Sequence, residues 1–307
     1  MPLPAAIEKL TRQMPVMEKA PMSRHTTFRV GGPARFMVMP ESHDQVALAL
    51  AAAGEAGLPV TLLGGGSNFL VSDRGIDGLV LGLKKIKSGP CSIQIQTSPA
   101  GRIGAGAGNS LASVCRFAAK AGLAGLEFLA GIPGTLGGAL AMNAGSAKTW
   151  IGERVHTLTV MDLASGRIET LDRDQLDFGY RRLNLPGKVI LAAELDLDVA
   201  DADQVMAAHR LALDTKQKAQ PVTQASAGCF FKNPAPDTPA GQLIDRAGLK
   251  GETLNGAMVS PMHANFIVNT GNARCRDILA LAERVKTTVK TRFNIQLENE
   301  VKVIGHA

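Results

Sequence analysis

The chain has 307 residues, of which 45% are hydrophobic and 20% are charged, which is typical of a soluble globular protein of two or three domains. This apolar content excludes a disordered chain, and the formal net charge of +6 favours anionic ligands. Lysine and arginine are spread along the sequence without a dense basic stripe. A phosphorylated small molecule is therefore a better candidate ligand than nucleic acid.

The cysteines are far apart and form no C-x-x-C pair, so the sequence predicts neither a metal site nor a disulfide framework. They are Cys91, Cys115, Cys229 and Cys275. Because the N-terminal residues lack the apolar segment of a secretion signal, we expect a reduced cytoplasmic protein. The stretch Gly122–Gly145 is long enough to cross a bilayer, but its glycines and its proline disfavour a continuous helix. We expect no membrane span.

In the first third of the chain, strand patterns alternate with a helical pattern. Ala34–Met39 predicts a strand, and Ser42 is the predicted cap of a helix that ends before Gly57. Two further strands are predicted at Pro59–Leu63 and Leu79–Leu83. This alternation indicates an α/β layer.

The remaining patterns predict a second mixed region and a final α+β region. The second region contains a strand at Arg102–Ala107, a helix that Asn109 caps and that ends near Ala121, strands at Val155–Met161 and Val189–Leu197, and a helix at 201–218. Gln220-Pro221 ends that helix and marks a boundary. The final region contains a helix at Gly241–Ala247, a strand at Ala264–Val268, an amphipathic helix at Ala273–Phe293 and a strand at Glu300–Ile304.

Three glycine-rich loops indicate a large phosphorylated cofactor. They lie at Gly64–Leu70, Gly104–Asn109 and Gly131–Ala139. Backbone N–H groups in such loops can approach a phosphate without interference from Cβ atoms. The glycine spacing at 104–108 is one residue short of the Rossmann motif, and no Walker A sequence follows any loop. The cofactor site is therefore expected in a different fold.

Several longer motifs resemble the UDP-N-acetylenolpyruvoylglucosamine reductase family, in one consistent order over nearly the whole chain. They include LLGGGSNFLVSD (62–73), GLEFLAGIPGTLGGALAMNAGS (125–146), DFGYR (177–181), SAGCFFKNP (226–234) and LENEVKVIG (297–305). The resemblance implies an α+β protein with an FAD-binding fold of the vanillyl-alcohol-oxidase type. Its two α/β subdomains would comprise residues 1–83 with 297–307, and 84–219. A C-terminal α+β substrate domain would comprise 220–296.

The same resemblance implies an enzyme of peptidoglycan precursor synthesis, with non-covalent FAD as cofactor and NADPH as co-substrate. The implied reaction reduces UDP-N-acetylglucosamine enolpyruvate to UDP-N-acetylmuramate, with hydride transfer from reduced FAD N5 to the enolpyruvyl β carbon. Negative charge then develops on the α carbon and its carboxylate. We expect small-molecule partners only, no nucleic acid or membrane, and a monomer. The compact length implies the subtype that lacks a long tyrosine-bearing substrate loop.

The resemblance also assigns site residues. Arg181 and Glu300 are expected to flank the substrate carboxylate. Cys229 stands where the family usually has the serine that donates a proton, and a thiol with a pKa of about 8.5 is still protonated at neutral pH. The predicted FAD-binding residues are Gly64, Gly65, Gly66, Ser67, Asn68, Gly131, Ile132, Pro133, Gly134, Gly137, Gly138 and Asn143, and the predicted substrate-binding residues are Tyr180, Lys216, Lys232 and Asn233.

Departures from the family pattern and rival functions remain open at this point. Leu183 stands where the family often has serine, and residues 146–150 differ from the usual loop. One rival is an FAD-dependent oxidase of the same fold acting on a small alcohol or sugar. Many such oxidases attach FAD through His or Cys, and Gly64–Asp73 contains neither. The other rival is a basic nucleic-acid-binding protein, which predicts salt-sensitive DNA binding and no yellow colour.

Overall fold

The computed structural model describes residues 3–86, 92–95, 100–145 and 149–305. Cys91 and residues 146–148 of the divergent loop lie outside the described residues. The chain forms two compact units. Unit 1 comprises Met1–Glu18, Phe36–Gly65 and Gly78–Asp214, and unit 2 comprises Lys19–Arg35, Gly66–Asp77 and Thr215–Ala307. The predicted division into three domains remains a prediction.

Helices and strands both occur throughout the described chain, with runs of consecutive strands between some of the helices. In chain order the elements are α1 (Ala5–Thr11), β1 (Val16–Pro21), β2 (Pro33–Val38), α2 (His43–Glu55), β3 (Val60–Leu63), β4 (Phe69–Val71), β5 (Ile76–Gly82), β6 (Ser92–Ile95), β7 (Ala100–Gly106), α3 (Leu111–Lys120), β8 (Leu123–Ala124), α4 (Leu136–Ala141), β9 (Val155–Asp162), β10 (Ile168–Asp172), β11 (Asp177–Gly179), β12 (Arg182–Asn184), β13 (Lys188–Val199), α5 (Ala202–Ala219), α6 (Ala240–Arg246), β14 (Thr253–Leu254), β15 (Ala257–Val259), β16 (Ile267–Asn269), α7 (Cys275–Phe293) and β17 (Lys302–Ile304). The sheets have the strand orders β1–β2–β5–β3, β10–β9–β13–β7–β6, β11–β12, β14–β15–β16 and β17–β4.

The largest sheet lies in unit 1 and is built around β13. This strand pairs antiparallel with β9 on one side and β7 on the other, and alternate residues of β13 are buried. Helix α3 contributes Leu111, Val114 and Ala118 to the same hydrophobic core. Ser110 caps α3 by accepting a hydrogen bond from the Ser113 N–H at 3.1 Å. The prediction that Asn109 caps this helix is therefore wrong by one residue.

A second hydrophobic cluster of unit 1 contains residues of α1 and α2. Ile7 and Leu10 of α1 belong to it together with Val46 and Leu50 of α2. Strands β3 and β5 of the same unit pair in parallel. The predicted helix capped by Ser42 is confirmed, because the Ser42 side chain accepts a hydrogen bond from the backbone of Gln45.

Unit 2 has an extended hydrophobic core that includes the buried face of α7. Its buried face includes Ile278, Leu281 and Val285, and these pack with Phe230 and Phe231 in one cluster. The amphipathic helix predicted at Ala273–Phe293 is confirmed with a start two residues later.

The N-terminus of α7 is capped by a residue distant in sequence. The Asp73 carboxylate accepts hydrogen bonds from the Cys275 N–H at 2.8 Å and the Arg276 N–H at 3.2 Å. A carboxylate in this position satisfies N–H groups that have no partner within the helix and complements the positive end of its dipole. Helix α7 is thereby joined to the loop that follows β4.

Among the described residues, none of the helices is both long enough and apolar enough to cross a membrane. The glycine-rich stretch 122–145 contains only the short strand β8, one turn of 3₁₀ helix and the six-residue helix α4. Its apolar residues are largely buried, including Leu129, Leu136 and Leu140. The stretch therefore belongs to the core of unit 1.

Candidate active site

Two of the predicted cofactor loops touch each other within unit 1. A Cβ atom built on Gly64 would lie 2.7 Å from the Thr135 Oγ1, and one built on Gly65 would lie 2.5 Å from the Gly134 Cα. Both distances are too short for a side chain, so glycine is required for the backbones to approach. Gly134 also has a φ of +119°, which favours glycine. The sequence predicted both loops but not their direct contact.

The second loop leads into helix α4. Thr135 caps this helix by accepting a hydrogen bond from the Gly138 N–H at 3.3 Å. A Cβ atom on Gly137 would lie 2.8 Å from the Ala107 Cβ, whereas one on Gly138 would contact only Thr135, at 3.4 Å. Gly137 is thus needed for packing against the end of β7. Gly138 faces a more open space.

The loop pair fits the diphosphate of FAD. Within the described part of the chain, the backbone N–H groups of Gly64 and Gly65 donate to no protein acceptor. Both glycines are only partly buried, and neither has a Cβ atom to cover these N–H groups. A run of such N–H groups forms a binding site for an anion. The side chains and backbone present are therefore compatible with the predicted cofactor.

Asn143 is buried within unit 1, and its role in binding FAD remains a prediction. Its side chain is buried, its Nδ2 donates to the Gly179 carbonyl at 3.0 Å, and its Oδ1 accepts from the Gly152 N–H at 3.0 Å. The side-chain amide is therefore directed into unit 1. Nothing in the sequence distinguished this position from the glycine loops that precede it.

Arg181 lies in a tight turn that the sequence did not predict. Strands β11 and β12 pair Gly179 with Arg182, which leaves Tyr180 and Arg181 as the turn. Arg181 has a φ of +55°, and its guanidinium carbon lies 5.2 Å from the centre of the Tyr180 ring. Tyr180 is 54% exposed. The structure thus presents the predicted arginine and tyrosine side by side at the end of a hairpin.

In unit 2, the third glycine of the first loop is followed by residues that contact the C-terminal strand. A Cβ atom on Gly66 would lie 2.1 Å from the His25 carbonyl oxygen, so glycine is required there as well. The Asn68 Nδ2 donates to the Glu300 carbonyl at 3.3 Å, and the Asn68 carbonyl accepts from the Lys302 N–H at 2.9 Å. The structure therefore joins a predicted FAD residue to a predicted catalytic residue.

Cys229 lies next to the same strand. Gly228, which precedes it, has a φ of +78°, and Phe230, which follows it, is fully buried. The Glu300 N–H donates to the Phe230 carbonyl at 2.8 Å. Glu300 is thus hydrogen-bonded to the residue that follows Cys229, and the catalytic assignments of Cys229 and Glu300 remain predictions.

Asn265 holds the segment that follows Cys229. Its Oδ1 accepts from the Phe231 N–H at 2.9 Å, its Nδ2 donates to the Phe231 carbonyl at 2.8 Å, and its own carbonyl accepts from the Phe230 N–H at 2.7 Å. The sequence placed Asn265 inside a predicted strand at Ala264–Val268. That strand begins later, at Ile267. The backbone before it does not continue the sheet because Asn265 binds the Phe230–Phe231 segment instead.

Two of the predicted substrate-binding residues have protein partners. The Lys232 Nζ lies 3.3 Å from a Glu298 carboxylate oxygen in an exposed ion pair. The Asn233 Oδ1 accepts from the Ala240 N–H at 3.1 Å, at the start of α6. Lys216 lies in the last turn of α5. Their assignment to the nucleotide sugar remains a prediction.

The cysteines in the described part of the chain differ in exposure. Cys115 and Cys275 are buried, as predicted for cysteines within amphipathic helices, whereas Cys229 is half-buried. Burial raises the pKa of the Cys275 thiol to about 11, and the nearby Asp73 carboxylate adds to the effect. Cys275 is therefore an inert thiol.

Family comparisons match both halves of the chain. The family described as "FAD binding domain" matches residues 34–172. The family described as "UDP-N-acetylenolpyruvoylglucosamine reductase, C-terminal domain" matches residues 220–304. These matches confirm the predicted FAD-binding fold and the predicted family resemblance.

Individual relatives are similar along nearly their whole length. UDP-N-acetylenolpyruvoylglucosamine reductase of Geobacter metallireducens is 44% identical over 292 residues, which covers 94% of this chain and 94% of the relative. The same enzyme of Desulfosudis oleivorans is 43% identical over 293 residues, with 93% of each chain covered. The crystal structure of the Thermus caldophilus enzyme superposes with a TM-score of 0.78 at 33% identity, covering 94% of this chain and 98% of that one.

Proposed function

The chain belongs to the UDP-N-acetylenolpyruvoylglucosamine reductase family, and we propose that it reduces UDP-N-acetylglucosamine enolpyruvate to UDP-N-acetylmuramate, with FAD as cofactor and NADPH as reductant. The product is a precursor of peptidoglycan. The structural observation that carries the proposal is the chain of hydrogen bonds from Asn68 through Glu300 to the Phe230 carbonyl, next to Cys229. It supports a joint role for a cofactor loop, a carboxylate and a thiol.

The glycine loops would hold the cofactor. The N–H groups of Gly64 and Gly65 would bind the FAD diphosphate, with Ser67 and Asn68 contributing hydrogen bonds beside them. The loop that begins at Gly131 would bind another part of FAD. The chemistry that FAD supplies when bound is hydride transfer to the enolpyruvyl double bond. The protein's own residues must supply a proton and stabilise negative charge.

Cys229 would donate the proton. An unperturbed thiol has a pKa of about 8.5, so at neutral pH it carries a proton that it can transfer to the substrate α carbon. Together with the hydride on the β carbon, this proton saturates the double bond. The resulting thiolate then regains a proton from solvent. The half-buried position of Cys229 allows both steps.

Arg181 and Glu300 would act on the substrate carboxylate. The guanidinium of Arg181 is always charged and can bind a carboxylate through two parallel hydrogen bonds, which strengthen as negative charge develops. Glu300 would meet that carboxylate in its protonated form or through a bridging donor, because two ionised carboxylates repel each other. Tyr180, Lys216, Lys232 and Asn233 would bind the nucleotide sugar.

We also propose that the protein acts in the cytoplasm as a monomer. Both substrates are polar, charged nucleotides, which is typical of substrates used in the cytoplasm. Size-exclusion chromatography with light scattering should give a mass near the 32.2 kDa of one chain. A dimer mass at micromolar concentration would contradict the monomer.

The first experiment follows the flavin spectrum through both half-reactions. The purified protein should be yellow. Its visible band should bleach when NADPH is added without oxygen and return when UDP-N-acetylglucosamine enolpyruvate follows. A band that stays bleached would contradict the substrate assignment but not the fold. If the purified protein is colourless and added FAD does not produce the flavin band, the whole proposal is contradicted.

Substitution of Cys229 tests the proton donor. Cys229→Ala should keep FAD reduction by NADPH and lose product formation by about 10²- to 10⁴-fold, the usual contribution of general acid catalysis. Cys229→Ser is the matched control and should retain activity, because a hydroxyl can also donate a proton. Full turnover by the alanine variant would remove Cys229 from the mechanism.

A further inference from the structure

We propose that Asn143 is a positioning residue for Arg181, acting by holding the turn that presents the guanidinium. The inference rests on the proposed function, because it takes Arg181 as the residue that binds the substrate carboxylate. Asn143 itself would touch neither substrate nor cofactor through its side chain. Its role therefore differs from the FAD-binding role that the sequence predicted.

The turn that carries Arg181 is short and strained. Strands β11 and β12 have three residues each, and only Tyr180 and Arg181 connect them. Arg181 adopts a φ of +55°, a left-handed conformation that costs a side-chain-bearing residue about 1–2 kcal/mol. Such a conformation persists only when the surrounding structure fixes it. A hairpin of this size cannot fix it alone, because isolated two-stranded hairpins are at best marginally stable.

Asn143 supplies a fixing contact at the beginning of the turn. Its Nδ2 donates to the carbonyl of Gly179, the last residue before the turn, at 3.0 Å. The side chain is 4% exposed, so this hydrogen bond is shielded from competing water. Asn143 has a φ of +42°. Asparagine is among the few residues that adopt this conformation readily, which makes the amide well suited to the position.

The other end of the Asn143 side chain is anchored as firmly. Its Oδ1 accepts from the Gly152 N–H at 3.0 Å, and the Gly152 carbonyl accepts from the Arg173 Nε at 2.9 Å. Arg173 in turn lies over the Phe178 ring at 5.1 Å. Both sides of the Gly152 peptide are therefore bound, one by Asn143 and one by an arginine that also packs on β11.

Gly152 allows this arrangement because it has no side chain. A Cβ atom there would lie 2.7 Å from the Phe178 ring and 2.9 Å from the Asn143 Oδ1. Asn143, Gly152, Arg173 and Phe178 thus form one packed cluster beneath the turn. The cluster leaves the Gly179 carbonyl, and hence the start of the turn, little freedom to move.

The consequence for catalysis concerns the orientation of the Arg181 guanidinium. A bidentate arginine–carboxylate contact requires both N–H groups to be aligned, and a misplacement of about 1 Å can cost about 100-fold in rate. Loss of the Asn143–Gly179 hydrogen bond would let the turn relax away from the φ of +55° at Arg181. The guanidinium would remain present and charged but lose its alignment.

The test uses Asn143→Asp and Asn143→Ala in the FAD-loaded protein. The aspartate keeps an acceptor for the Gly152 N–H but replaces the donor to Gly179 with a second oxygen, so it removes one hydrogen bond at nearly constant volume. We expect a loss of about 10- to 100-fold in the enolpyruvyl half-reaction. Flavin content, flavin spectrum and the rate of reduction by NADPH should not change. Loss of flavin or a slower NADPH half-reaction would overturn the proposal in favour of a cofactor-binding role.

Asn184→Ala is the matched control. Asn184 lies on the same hairpin and is exposed, and its side-chain amide donates a hydrogen bond to the exposed Asp177 at 3.3 Å. Both half-reactions of this variant should match those of the parent protein. A loss equal to that of Asn143→Asp would show that any change in the hairpin is damaging, which would overturn a specific role for Asn143.

A binding measurement separates alignment from general damage. UDP-N-acetylmuramate carries the carboxylate that Arg181 would bind, whereas UDP-N-acetylglucosamine does not. Calorimetric titration should show about tenfold weaker binding of the first to Asn143→Asp and unchanged binding of the second. Equal weakening of both ligands would contradict the proposal.

A double substitution makes the dependence on Arg181 explicit. If Asn143 acts through Arg181, adding Asn143→Asp to Arg181→Ala should slow the enolpyruvyl half-reaction by less than twofold beyond Arg181→Ala alone. Full additivity would overturn the proposal. If Arg181→Ala alone leaves this half-reaction intact, the catalytic role of Arg181 fails instead, and the two failures are thereby distinguished.

Discussion

The two units hold their predicted reactive residues in different ways. In unit 1, Arg181 lies on a two-residue turn beside an exposed tyrosine. In unit 2, Cys229 and Glu300 adjoin Phe230, which is fully buried in the main cluster of that unit. The alignment of Arg181 can therefore be lost while unit 1 stays folded. We expect a shift of Cys229 to disturb the core of unit 2 through the adjacent Phe230.

In each unit a buried asparagine binds the segment that carries a predicted reactive residue, but the two asparagines bind in different ways. The Asn143 side chain binds the Gly179 carbonyl and the Gly152 N–H, which belong to separate segments. The Asn265 side chain binds both the N–H and the carbonyl of Phe231. Asn143 therefore links a turn to a loop, whereas Asn265 replaces a missing strand partner. We expect substitution of the first to affect mainly rate and of the second mainly stability.

The largest effect is expected for Asn265→Ala. It leaves the buried N–H and carbonyl of Phe231 without partners and should lower the free energy of unfolding by about 2–4 kcal/mol. Urea denaturation followed by circular dichroism measures the change. Asn272→Ala, at an exposed asparagine of the same unit, is the control and should change it by less than about 0.5 kcal/mol. Equal stabilities for the two variants would remove the contrast between the units.

The next prediction compares the rates of variants at two adjacent arginines, Arg181 and Arg182. Arg181→Lys should slow the enolpyruvyl half-reaction by about 10- to 100-fold, because an ammonium cannot bind a carboxylate through two parallel N–H groups. Arg182→Lys is the matched control, since Arg182 is exposed and lies 3.9 Å from the Asp177 carboxylate in a long ion pair. Stopped-flow reoxidation of the reduced flavin gives both rates. Similar rates for the two variants would contradict the role of the turn.

A smaller effect is expected at the cap of α7. Asp73→Ala removes the acceptor of the Cys275 and Arg276 N–H groups and should lower the free energy of unfolding by about 1–2 kcal/mol. Both half-reactions should keep their rates at temperatures where the variant is folded. Thermal denaturation combined with the flavin assay tests this. A lost half-reaction in a folded variant would mean that stability and activity are not separable at this loop.

The effect that is smallest at neutral pH is a dependence of stability on alkaline pH. Burial raises the pKa of Cys275 from 9.0 to about 11, so above pH 9 the unfolded thiol ionises while the folded one stays protonated. Stability should therefore fall as pH rises from 9 towards 11, because the folded state then binds more protons. Comparing the urea midpoints of the parent and Cys275→Ala across this range isolates the contribution. An unchanged pH slope in the variant would contradict it.

Sequence reasoning predicted the glycine loops, the long amphipathic helix and, through the family motifs, the FAD-binding fold. It missed the hairpin of β11 and β12, because strands of three residues show no periodicity. It also missed the capping of α7 by Asp73, which depends on a contact 202 residues away in sequence.

The side-chain contacts of Asn143 could not be predicted for a related reason. An asparagine after a glycine-rich loop looks like a ligand contact when only neighbouring residues are considered. Its actual partners, Gly152 and Gly179, lie 9 and 36 residues further along the chain. The boundaries of the units are difficult to predict from the sequence for the same reason, because unit 2 consists of three segments that are separate in the chain. Contacts of this kind become visible only once the chain is folded.

The hydrogen bond between Asn68 and Glu300 joins residues 232 positions apart, and β17 pairs with β4 beside it. The ribosome synthesises the chain from its N-terminus, so Asn68 leaves the exit tunnel long before Glu300 has been made. At about 5–20 residues per second, the first cofactor loop waits on the order of 10–50 s for its partner strand. The contacts that join the predicted cofactor loop to β17 can therefore form only once residues 300–304 have emerged, well after the loop itself has been synthesised.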